Sequence, residues 1–119
     1  MPSALFFTSD LMFSSQLLGA AATLGLKLHL IANPAGAAAN VPAECRLAII
    51  DLGLPGLNLP QLVADLVAAA PGALTVAYGP HVDEQALAAA QSAGVKMVLS
   101  RGQFHRQYVD LLRAAAAAT

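Results

Sequence analysis

The sequence predicts an α/β domain in three layers, a parallel sheet of five strands with helices on both faces. Three observations carry this. Leu47-Ala48-Ile49-Ile50 is an apolar run without polar alternation, closed by Asp51 and a turn containing Gly53, Pro55 and Gly56, the pattern of a strand buried on both faces. Strand-like runs alternate with helical ones along all 119 residues, which implies right-handed crossovers between parallel strands. The helical runs end in Gly or Pro-Gly stop signals.

The elements follow in order. Residues 4–8 form a first strand, and Ser9-Asp10 offers the N-cap of a helix with apolar positions at Leu11, Leu17, Leu18 and Leu24, ended by Gly25. Residues 27–32 alternate around Lys27, His29 and Ile31 and suit a strand near the sheet edge. Between 33 and 44, Pro34, Gly36 and Pro42 bracket an Ala-rich piece with room for one or two helical turns. After the Asp51 strand, Asn58 and Gln61 stand at capping-box spacing and start a helix that runs to about residue 70, stopped by Pro71-Gly72. Residues 73–78 are a fourth strand, 83–93 a helix begun by Asp83-Glu84 and closed by Gly94, and 96–100 a fifth strand. Arg101-Gly102-Gln103 leads into a last helix with Tyr108, Leu111 and Leu112 on its apolar face and an alanine tail.

A length of 119 residues fits one domain, residues 1–119, able to bury roughly two-thirds of its unfolded surface. Any output then runs through another protein or through self-association. Six Lys and Arg stand against seven Asp and Glu, for a net charge of -1, with no basic stripe, so nucleic acid is not an expected direct partner. Although 57% of residues are hydrophobic, charge, Pro or Gly interrupts every stretch of about 20 residues, and no membrane span is expected. Met1-Pro2-Ser3-Ala4 lacks a basic signal-peptide region, and Cys45 is the sole cysteine. A cytoplasmic protein without disulfides is expected.

Chemistry should gather where the strands end, because in open α/β sheets the loops beyond the strands' C-terminal ends form the ligand crevice. Asp51 occupies such a position, which is also an ordinary place for a turn or helix cap. Ser14 and Ser15 have no glycine elbow or base nearby, Gly53-Leu54-Pro55-Gly56 has the wrong spacing for a nucleotide-binding loop, and His29 and His105 lack metal-ligand spacing. Arg101, Arg106 and Arg113, with Phe104 and Tyr108, offer a partner-binding surface or an ordinary solvated face.

The order of elements, the pattern Asp51, Pro55, Gly56, and the stretch 83–101 with Ala93-Gly94 resemble the response-regulator receiver domain, the CheY-like, flavodoxin-type fold. That resemblance implies strand order 2-1-3-4-5, a phosphoacceptor at Asp51, and an acidic pair after the first strand, met here by Ser9-Asp10 with one carboxylate missing. Asp10, Asp51 and the Gly53 carbonyl would then be the oxygen ligands of Mg²⁺, the only cofactor the resemblance suggests. The resemblance also places Gly79 where the family has a hydroxyl, Val98 where it has an aromatic residue, and Arg101 where it has lysine. Arg101 either contacts a phosphate or pairs with Asp51, and His81, two residues past Gly79, is a candidate phosphate or ligand contact or a plain loop histidine.

Without the hydroxyl and the aromatic residue, the usual source of a difference between two conformational states is missing. The expected function is therefore a divergent receiver-like interaction module in signalling, not an enzyme, whose partner is a kinase or downstream protein. A homodimer through the last two helices follows from the resemblance alone. The alternative is a phosphoacceptor that catalyses its own Mg²⁺-dependent phosphorylation at Asp51, and a small-ligand sensor in the same crevice is a third reading.

Overall fold

The computed structural model describes residues 1–35 and 41–117. The elements are β1 (Ser3–Phe7), α1 (Leu11–Thr23), β2 (Lys27–Ile31), β3 (Cys45–Asp51), α2 (Leu59–Ala69), β4 (Leu74–Gly79), α3 (Glu84–Ser92), β5 (Met97–Ser100) and α4 (Arg101–Ala117). All four strand pairs are parallel, in the order β2-β1-β3-β4-β5. The helical piece expected within 33–44 falls mainly on residues 36–40, outside the described residues.

The pleat divides the core in two. Ala4, Phe6, Leu47, Ile49, Val76 and Tyr78 point to the face covered by α1 and α4, where they meet Phe13, Leu17, Phe104 and Leu112. Leu5, Phe7, Ala48, Ile50 and Ala77 point to the opposite face and meet Leu62, Val63, Leu66 and Ala90 of α2 and α3. This two-sided burial is why β3 carries no polar alternation before Asp51. β2, at the edge, is only partly covered.

Three helices depart from the sequence pattern. Asp10 caps α1 as expected, accepting from the Phe13 amide at 3.0 Å, but the buried stripe is Phe13, Leu17 and Ala21, spaced four apart, with Ser14 beside it. Of the apolar positions at Leu11, Leu17, Leu18 and Leu24, Leu11 and Leu18 are exposed. At α2, Asn58 accepts from the Gln61 amide at 3.3 Å, yet the Gln61 side chain donates forward to Asp65 at 2.9 Å instead of returning to the cap. The reciprocal box forms at α4: Ser100 Oγ accepts from the Gln103 amide at 3.2 Å, and Gln103 Oε1 accepts from the Ser100 amide at 2.9 Å. It starts α4 at Arg101, with no lead-in segment.

Phe104 corrects a further expectation. It is fully buried and stacks on Tyr78 with ring centroids 4.3 Å apart and planes at 5°, so it belongs to the core and not to a partner surface. Tyr108 is half-buried and packs edge-on against Phe13.

Candidate functional site

The strand register assembles the site. Asp51 is the last residue of β3 and pairs with Tyr78 of β4. Leu47 and Ile49 face α1 and α4, so with a side-chain period of two Asp51 faces that layer too. Thr8, two residues past Phe6, continues the same alternation at the end of β1.

Asp51 is 6% exposed, and both carboxylate oxygens are engaged. The Thr8 hydroxyl donates to Oδ2 at 2.8 Å, and the Gly53 amide donates to Oδ1 at 2.9 Å. The donor atom of Thr8 is itself held, accepting from the Asp10 amide at 3.0 Å. Gly53 allows the turn to come this close: a Cβ there would stand 3.3 Å from Asp51 Oδ1, tighter than most real contacts. The residue that the end of β1 brings to Asp51 is thus Thr8, which in the sequence is marked only as the close of a strand. Its signal was available in the alternation of residues 4, 6 and 8 once β1 and β3 are neighbours.

Tyr78 is the second residue that sequence reading missed. It is 1% exposed, its ring lies among Phe6, Phe13 and Phe104, and its Oη has no hydrogen-bond partner among the described residues. Burial pushes the phenol well above its ordinary titration range, and the Asp51 charge pushes the same way. The nearby Thr8 hydroxyl and Arg101 oppose the shift, and Asp10 adds slightly to it. The Thr8 hydroxyl gives its proton to Asp51 and accepts from the Asp10 amide, and with no partner in hydrogen-bond geometry the phenol is a buried polar group of the kind folded proteins seldom tolerate.

The other candidates stand apart. Asp10 is half-buried with Oδ1 turned to its own helix. A Cβ on Gly79 would have Leu52 and Leu87 as its nearest neighbours, at 3.5 and 3.9 Å, so a side chain there would point to the α3 layer. His81 and Arg101 are exposed, and neither has a hydrogen bond or ion pair to Asp51 among the described residues. The cavities found against Gly56, Asn58 and Asp65, and against Arg46, Leu74 and Leu111, lie away from Asp51.

The fit to Mg²⁺ is poor. A hard dication needs several oxygen ligands and enough negative charge to offset its dehydration. Here a hydroxyl stands beside Asp51, both Asp51 oxygens already accept protein hydrogens, and no group of three His, Cys, Asp or Glu residues arranged to hold a metal occurs among the described residues.

No family model and no curated protein matches the chain. Solved structures do. A CheY-like protein, tadZ of Pseudomonas aeruginosa, is 22% identical, with 100% of this chain and 96% of that one covered at a TM-score of 0.71. The signal receiver domain of an HD domain-containing protein from Pseudomonas fluorescens is 20% identical over 97% of this chain and 88% of its own, with a TM-score of 0.73. The receiver domain of a sensor histidine kinase from Pseudomonas aeruginosa, solved with magnesium in its active-site cleft, is 15% identical over 98% of both chains at 0.74.

The parallel order 2-1-3-4-5, with a carboxylate at the C-terminal end of its central strand, defines a flavodoxin-like α/β protein. Within that class the chain has the CheY-like receiver-domain fold. No helix among the described residues is long and apolar enough to cross a membrane.

Proposed function

We propose that the chain is a receiver-fold docking module in signalling that works without a phosphorylation switch and has no enzymatic activity of its own. The observation that carries this is the state of Asp51, buried and with both oxygens hydrogen-bonded inside the protein. A phosphoacceptor must present an oxygen to its donor with cationic charge beside it. Asp51 instead serves as a structural acceptor that ties the ends of β1 and β3 together. Gly79 carries no hydroxyl, and the neighbouring aromatic residue, Tyr78, is fixed in the core by stacking on Phe104, so the parts that would convert a modification into a shape change are missing.

A further likeness supports an assembly role. A putative pilus assembly protein, cpaE of Burkholderia thailandensis, is 20% identical over 99% of this chain and 100% of its own, with a TM-score of 0.69. In this reading the module acts in the cytoplasm and its output is contact with a protein partner, either a kinase or a downstream component.

The test is Asp51→Asn, which keeps the shape of the side chain, removes its charge and replaces one of the two accepting oxygens by an NH2 donor, and which should leave partner binding intact. The competing reading, Mg²⁺-dependent phosphorylation of Asp51, draws on the position of that carboxylate at the crevice. Titration with Mg²⁺ and then beryllofluoride separates the two. Saturable amide shifts at Asp10, Asp51, Gly53 and Arg101 would establish the phosphoacceptor; an unchanged spectrum is expected.

A further inference from the structure

A cavity of about 160 Å³ opens at the N-terminal end of the sheet, between α4 and the starts of β3 and β4. It is remote from the crevice, because Arg46 and Asp51 lie at opposite ends of β3, roughly 16 Å apart at the rise of an extended strand. Leu47 and Ala115, both buried, form its floor, and Leu74 and Leu111 form its walls. Gly72 and Ala114 stand exposed at the mouth, and a Cβ on Gly72 would meet nothing within 4 Å. Arg46 is the one charged residue of the lining among the described residues.

An irregularity in the strand puts Arg46 there. Ser3 pairs with Cys45 but Ala4 with Leu47, so Arg46 is the extra residue of a bulge between β1 and β3. The core shows the consequence. Cys45 packs in the layer of α2 and α3, and Leu47 in the layer of α1 and α4, although a regular strand would put residues two apart on one face. Bulges re-aim side chains, and this one sets an arginine at the rim of an apolar hollow. Arg46 is half-buried and has no ion-pair partner among the described residues, Glu44 two positions earlier included. A cation partly withdrawn from water without a counter-charge favours the approach of an anion.

We propose that this cavity binds a small carboxylate carrying one apolar ring, of the arylacetate class, as a ligand site separate from the Asp51 crevice. A cavity of about 150 Å³ lined by aliphatic side chains takes up one benzene ring, which matches the size and the apolar walls found here. At the mouth the planar fork of Arg46 suits a carboxylate, which it can hold through two parallel hydrogen bonds. A phosphate dianion fits less well, since a single guanidinium would face it and the rest of the lining could not solvate its charge. α4 ends at Ala117, so its last carbonyls put partial negative charge near the same mouth. The preference for an anion must therefore come from Arg46. The inference is independent of the docking-module reading, because Asp51 takes no part in it.

The test is an amide-shift titration of the isotopically labelled full chain with phenylacetate and with phenylacetamide, its neutral counterpart of equal size. Phenylacetate is expected to give saturable shifts at residues 46–47, 72–74 and 111–115 with a Kd of about 1 mM, and phenylacetamide to bind at least about threefold more weakly. Arg46→Gln should remove that preference. Ala114→Leu should abolish binding of both by filling the mouth, at an exposed helical position where leucine is a good helix former. The same spectra report that each variant is folded.

Equal binding of the two ligands to the wild-type chain, a preference that survives Arg46→Gln, or undiminished binding to Ala114→Leu would each overturn the proposal. So would shifts confined to the residues around Asp51, or none at about 20 mM phenylacetate. Shifts of residues 46–47, 72–74 and 111–115 with protein concentration alone would mean that a second copy covers the mouth, and would overturn it as well.

Discussion

Thr8→Val tests the central feature of the crevice. The two side chains are nearly isosteric, so the change removes one hydroxyl and little volume. That hydroxyl donates to the buried Asp51 Oδ2 at 2.8 Å and accepts from the Asp10 amide at 3.0 Å. A hydrogen bond to a charged group contributes about 1.5–3 kcal/mol, and leaving the carboxylate oxygen unsatisfied costs its desolvation as well. The Asp10 amide begins a helix and is nearer solvent, so its loss adds less.

The expected destabilisation is about 2–3 kcal/mol, a large share of the roughly 5–15 kcal/mol available to a single domain. With a urea slope of about 1.5 kcal/mol/M, the unfolding midpoint should fall by about 1.3–2 M. Asp51→Asn in the Thr8→Val background should cost measurably less than in the wild type, with a coupling of about 1 kcal/mol. A midpoint within about 0.3 M of wild type, or fully additive variants, would refute the account of Asp51 as a structural acceptor held by Thr8.

Tyr78→Phe deletes a buried hydroxyl without a partner and should stabilise the protein by about 1 kcal/mol. Because burial raises the folded-state pKa of Tyr78 above its ordinary value of 10.0, the neutral phenol's contribution is complete below that pH and is lost as pH rises beyond it. Urea midpoints at pH 8 and pH 10.5 should therefore fall more in wild type than in Tyr78→Phe; Cys45, also shifted upward by burial, is common to both, and equal falls would exclude Tyr78 as the source. Phe104→Ala empties the centre of the α1–α4 core, where Phe104 is fully buried, and should cost about 3–5 kcal/mol, read as a drop in Tm of more than about 10 °C. Gly94 has φ +95°, so Gly94→Ala should cost about 1–2 kcal/mol, whereas Gly72→Ala, with open space at Cβ and no positive φ, should be close to neutral.

Local signals placed most of the fold. Asp10, Asn58 and Asp83 each accept from an amide three residues on, and Gly25 and Gly94 take the positive φ that ends a helix. These depend on neighbours in the chain, so the sequence contains both partners. The capping box went astray for the same reason: Gln61 has Asp65 within reach one turn ahead, and a forward side-chain bond competes with the return to the cap.

Leu11 and Leu18 are apolar positions of α1 by sequence, but which stripe of α1 faces inward depends on Phe6, Tyr78 and Phe104, residues of three other elements. Phe104 was assigned to the surface by its company with arginines. Its ring fits instead into a stack completed by Tyr78, 26 positions earlier, a pairing visible only in three dimensions.

By itself, then, the sequence determined the parallel three-layer architecture and put Asp51 at the mouth of the crevice, since two-sided burial and helix caps are written in short-range patterns. Only the tertiary structure decided what Asp51 does there. β1 and β3 are neighbours although 37 residues separate Phe7 from Cys45, and their register sets the Thr8 hydroxyl against the carboxylate 43 positions later. Whether a buried charge reacts or is held depends on the donors within about 3 Å, and those donors come from parts of the chain that no local pattern connects.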